Sequence, residues 1–183
     1  MSDFVLTGAT VLAGENLSPQ ENSWVKVSEQ GRIADVGTGH WGGSDTTQLD
    51  ASGTIICPAF LNGHTHVIDG FLKEVGFGMP YWEVFMPPEG LRHQALAGTS
   101  SEVLREQLDR TLDQMIACGT SLFVDFREGG RPGVSLLEEV AADKPIQPFT
   151  LGRFAAYPPQ PAEALNANDG ALSQEALREI SGI

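Results

Sequence analysis

The chain has 183 residues, 41% of them hydrophobic, enough for a sizeable core. Its net charge of −13 speaks against nucleic acid as a partner, which needs a basic surface. No apolar run approaches the ~20 residues of a membrane span, and Met1-Ser2-Asp3-Phe4 lacks the basic start and apolar stretch of a signal peptide. The expected location is therefore the cytoplasm.

Lys26, Lys73 and Lys144 are the only lysines, against eight arginines. An acidic, lysine-poor surface keeps a protein soluble when salt screens charge, as in halophiles; an ordinary acidic protein is the alternative. Cys57 and Cys118 form no CxxC pair, and their apolar surroundings predict buried structural thiols.

Residues 1–57 read as short strands. Phe4–Leu6 and Thr10–Leu12 are separated by Gly8, and Trp24–Ser28 and Arg32–Val36 flank a hairpin connection at Glu29-Gln30-Gly31. Gly37–Ser44 holds four glycines and reads as a loop, with His40 exposed in it. Leu49–Ala51 and Thr54–Cys57 resume strand character.

After Pro58 the pattern changes. Ala59–Asn62 is a short apolar strand that runs into Gly63-His64-Thr65-His66. From Val67 to about Gly98 no regular element is predicted. Pro80, Pro87 and Pro88 interrupt the stretch, and Phe71, Phe77, Met79, Tyr81, Trp82, Phe85 and Met86 give it the character of a lid, a core filler or an interface. A helix over Thr99–Ala117 follows, with Thr99 and Glu102 as a capping box, a Leu104/Leu108/Leu112/Met115/Ile116 face and Gly119 at its end. Ser121–Phe126 reads as a buried strand, Val134–Ala142 as a shorter helix after the Gly129–Gly133 turn, and Ile146–Leu151 as a further strand. Beyond Pro158–Pro161, Ser173 is placed to cap a last helix, Gln174–Ile180. The β-α alternation from Ala59 implies a parallel sheet.

His64 and His66 are two of only four histidines and stand two apart at the end of a strand. Side chains two apart on a strand point the same way, so both imidazoles can reach one metal ion. The alternative is a pair of surface histidines in a turn. Asp125, Arg127 and Glu128 follow the second strand of the series, and Arg153 the third. They are candidate substrate contacts, an ion pair among Arg127, Glu128 and neighbours being the competing reading. His93, at the end of the long stretch, is either a substrate contact or an exposed or capping residue.

Ile55-Ile56-Cys57-Pro58-Ala59-Phe60-Leu61-Asn62-Gly63-His64-Thr65-His66 resembles the opening signature of the amidohydrolase superfamily, in which His-x-His closes the first barrel strand. Cys118–Phe126 resembles the second barrel strand, and residues 1–57 resemble part of the N-terminal β-sandwich. The insertion after the His pair is most similar to the cytosine deaminase and chlorohydrolase branch. Ile68 stands where dihydroorotases carry Arg. The resemblance implies an α/β chain, a partial TIM-type (β/α) barrel of three β-α units over residues 58–183, preceded by the sandwich segment.

It also implies a divalent metal (zinc first, iron or manganese as alternatives) on His64 and His66, and a metal-activated water that attacks non-peptide C–N bonds of an amide or nitrogen heterocycle. The family's further ligands, a His after each of strands five and six and an Asp after strand eight, match nothing here. The expectation is an inactive fragment of a small-molecule hydrolase, with homo-oligomerisation left open. The alternatives are a non-catalytic metal-binding or scaffold protein complete at this length, or an enzyme whose other half is a second chain.

Overall fold

The computed structural model describes residues 2–44, 46–86 and 89–152. The expected contact Arg153, the Pro158–Pro161 cluster and the helix at Gln174–Ile180 lie outside them. The described residues form two compact units, divided after Pro58.

The first unit is a five-stranded sheet. β1 (Phe4–Ala13), β2 (Ser18–Val27) and β3 (Ile33–Thr38) form an antiparallel meander, while β4 (Thr47–Asp50) and β5 (Ile55–Ile56) run parallel to β1. Gly8 does not break β1. The β1–β2 register shifts between Thr7 and Ala9 and again before Val11, and Gly8 absorbs the irregularity at φ +78°. A Cβ there would lie 2.5 Å from the Ser52 hydroxyl, so only glycine fits this bulge. Ala9, Val11, Val25 and Ala51 make a small core, and Trp24 meets Trp41 edge-on at 4.5 Å.

The second unit holds a three-stranded parallel sheet in the order β6 (Phe60–Thr65), β7 (Thr120–Arg127), β8 (Gln147–Gly152). β6 extends past Asn62 and takes in His64 and Thr65. The stretch after it is not devoid of regular structure. It contains a 3-10 helix (Val67–Leu72), α1 (Tyr81–Phe85) and α2 (Leu91–Ala97), each too short to show an apolar period.

α3 (Ser101–Ala117) buries Leu108 and Leu112 completely and packs Leu104, Met115 and Ile116 against the same core, with Val67, Ile68, Phe123 and Leu137. Its N-cap is Ser100, whose hydroxyl accepts from the Val103 N–H at 3.4 Å. The expected cap, Thr99, instead donates to the Ala95 carbonyl at 2.6 Å, because the preceding helix ends close enough to take its hydroxyl. α4 (Gly130–Ala141) starts earlier than its apolar residues indicate. A Cβ on Gly133 would lie 2.0 Å from the Glu128 carbonyl, so this turn closes only around glycine. Cys57 and Cys118 are exposed, not buried. Cys118 caps α3 and Cys57 precedes Pro58, and apolar sequence neighbours do not fix the face of a residue between elements.

Candidate metal centre

The parallel register sets Thr65 of β6 beside Asp125 of β7, and Asp125 beside Thr150 of β8. Around Thr65 the side chains alternate faces. The His64 and His66 rings lie 5.5 Å apart, centroid to centroid, and both lie against Phe126, at 4.4 and 5.8 Å. The two imidazoles thus share one side of the sheet at the end of β6.

Asp125 and Arg127 flank Phe126 and therefore point to the opposite face. Asp125 is fully buried; its Oδ1 accepts from the Val67 N–H at 2.8 Å and faces the Thr65 hydroxyl at 3.1 Å. Burial pushes its pKa up, against the Val67 hydrogen bond and the Arg127 charge. Arg127 is 2% exposed and donates through Nε to the Gly133 carbonyl at 2.8 Å. Burial lowers its pKa, opposed first by the Asp125 charge. Asp125 Oδ2 and Arg127 Nη1 are both buried without a hydrogen-bond partner. The expectation of substrate contact at these two residues meets side chains turned away from the imidazoles and engaged in joining β6, β7 and α4.

Glu128 is placed differently. Its Oε1 lies 3.2 Å from His66 Nδ1 and 2.6 Å from Arg92 Nη2. Of the ion pair expected among Arg127, Glu128 and neighbours, the direct contact at Glu128 is with Arg92, a neighbour in space. Arg92, 4% exposed, also donates through Nε to both oxygens of Asp69, at 2.7 and 2.8 Å. Burial disfavours the Arg92 charge, but the hydrogen bonds and charges of Glu128 and Asp69 outweigh it and raise its pKa. Desolvation raises the pKa of Asp69 in spite of Arg92. Asp69 and Arg92 are absent from the sequence reading; a lone acid three residues after His66 and an Arg beside the more conspicuous His93 carry no motif. His93 Nε2 lies 3.3 Å from the Phe85 carbonyl, and His40 is exposed in the first unit.

Among the described residues no three His, Cys, Asp or Glu side chains converge on a metal position. The donor set fits a divalent metal as half a site: two imidazoles on one side of the sheet end, one with a carboxylate at its far nitrogen.

No protein-family model matches the chain. It is 35% identical over 153 residues to a protein of Methanothermobacter thermautotrophicus named "Putative aminohydrolase", covering 84% of this chain and 39% of that one. It is 26% identical to the imidazolonepropionase of Fusobacterium nucleatum, covering 91% of this chain and 44% of that one. Among solved structures it superposes on the atrazine chlorohydrolase of Arthrobacter aurescens complexed with zinc, with TM-score 0.63 and 18% identity over 80% of this chain and 35% of that one. The relatives named putative aminohydrolase and imidazolonepropionase, with the chlorohydrolase among solved structures, support membership of the amidohydrolase superfamily. It spans about two fifths of the length of these curated relatives.

Proposed function

We propose that this chain is the N-terminal portion of a metal-dependent hydrolase of non-peptide C–N bonds. It would supply a sandwich segment (residues 1–57), the first three β-α units of a (β/α) barrel (residues 58–183) and two metal ligands, His64 and His66. The observation that carries the reading is the His pair on one side of the end of β6. In barrels of this class the C-terminal strand ends form the active-site mouth. The zinc held by the chlorohydrolase and the ring chemistry in the name imidazolonepropionase support the metal and a small nitrogen heterocycle or amide as substrate.

A divalent metal there would supply Lewis-acid polarisation and a water of lowered pKa. The protein's part is to present two imidazoles at the end of β6, with Phe126 packed against both rings. Asp125 and Thr65 hold the end of β6 to β7. Glu128 stands beside one of the two imidazoles, His66.

The test is a chain carrying the remaining barrel, stripped with chelator, reloaded with zinc, iron or manganese, and assayed on amides and amino-substituted heterocycles. Metal-restored turnover that is lost in His64→Ala and His66→Ala is the expected result. Full activity in both variants ends the reading.

A further inference from the structure

We propose that Glu128, clamped by Arg92, is a positioning residue that fixes the His66 proton on Nδ1 and so leaves Nε2 as the ligating lone pair. The inference deepens the metal-site reading and rests on it for its purpose, though not for its geometry.

The argument is one of lone pairs. A histidine ring carries one proton when neutral, and the partner of one nitrogen decides where it sits. His66 Nδ1 lies 3.2 Å from Glu128 Oε1. A carboxylate oxygen only accepts, so an unprotonated Nδ1 would set two lone pairs against each other at hydrogen-bond distance. Protonated, the same nitrogen donates a charge-assisted bond. The competing donor to Nδ1 is Arg92 Nη2, which would force the opposite tautomer. It stands farther off, at 3.5 Å, and its short contact is with Glu128 Oε1 at 2.6 Å.

Arg92 is itself held. Its Nε bonds both oxygens of Asp69, and its side chain is 5% exposed. The guanidinium therefore has one place to be, and from there it holds the carboxylate against the imidazole. The 3-10 helix supplies Asp69, α2 supplies Arg92, and the turn after β7 supplies Glu128, so the stretch after the His pair contributes the clamp for one of the pair. Among the described residues no carboxylate bonds the His64 ring, which lies against Phe126 and the His66 ring, while the His64 backbone N–H donates to the Asn62 side-chain oxygen at 3.2 Å. The asymmetry predicts one fixed ring and one adaptable ring. Carboxylate–histidine–metal arrangements tune ligand basicity in this way.

The test uses the full 183-residue chain labelled with nitrogen-15 histidine, without metal. Long-range nitrogen–proton correlation of the imidazoles reads each tautomer directly. His66 should be protonated on Nδ1, and Glu128→Ala, which removes the acceptor, should lose that preference, while Arg92→Lys should keep the charge and weaken it. Zinc affinity, from competition with a chromophoric chelator, should fall about 10- to 100-fold in Glu128→Ala with the circular dichroism unchanged. A wild-type His66 protonated on Nε2 overturns the inference, and needs no variant to fold. Zinc affinity of a folded Glu128→Ala within about twofold of wild type also overturns it. A wild-type ring protonated on Nδ1 whose signals ignore zinc supports the clamp and removes the metal reading alone.

Discussion

At the scale of single residues, the charges on the helix-side face of β7 set a pH dependence. The folded pKa of Asp125 lies above its ordinary 3.8, first because of burial. A carboxyl raised on folding binds its proton more tightly in the native state, so its ionised form costs stability once the pH passes 3.8 and the folded pKa. Comparing wild type with Asp125→Asn isolates that group. The stability difference, from urea unfolding at a series of pH values, should shift toward the variant as pH rises from about 4 to neutrality. A difference independent of pH would mean that Asp125 has the same pKa folded and unfolded. Of the candidate site, His64 and His66 were legible because a strand's two-residue period is written in the sequence. Arg92 and Asp69 were not, because Arg92 stands 36 positions from Glu128 and 23 from Asp69 and no periodicity joins them.

At the scale of elements, α3 carries the largest testable burial. Leu108 is fully buried in the cluster formed with Leu112, Phe123 and Leu137. Leu108→Ala should destabilise by about 2–5 kcal/mol in denaturant unfolding, and a loss under about 0.5 kcal/mol would place that face in solvent. At the start of the same helix, Ser100→Ala should cost about 1 kcal/mol through loss of the cap to Val103. The apolar period of α3 was plain because seventeen residues give almost five turns over which to repeat. The start is ambiguous in the sequence because Ser100 and Thr99 are both capping residue types and only the end of α2 decides between them. The first half of β2 was invisible for the opposite reason: Ser18-Pro19-Gln20-Glu21-Asn22-Ser23 carries no alternating apolar residues, and it is a strand because β1 supplies its partner. α1 and α2, at five and seven residues, are below the length at which a period is readable.

At the scale of the whole molecule, the decisive expectation concerns what these 183 residues do unaided. Among the described residues β6 and β8 each pair with β7 alone, so each presents an unpaired edge. Phe60 and Leu61 on β6 are more than 60% exposed, and Phe149 on β8 is 44% exposed. Parallel strands are ordinarily covered on both faces, and open apolar edges template association. A catalytic zinc ordinarily has three protein ligands and an open position, whereas the described residues bring two imidazoles together and no third donor. The purified 183-residue chain should therefore self-associate as its concentration rises, bind zinc weakly, and show no turnover on the amide and heterocycle panel. Sedimentation velocity checks the first, chelator competition the second, and ammonia release the third. Metal-dependent turnover by this chain that vanishes in His66→Ala would refute the half-site account, since the missing ligands would then come from the chain itself or from a second copy. A dilution series separates those sources: activity per chain stays constant if one chain holds all the ligands, and falls with concentration if two copies share them.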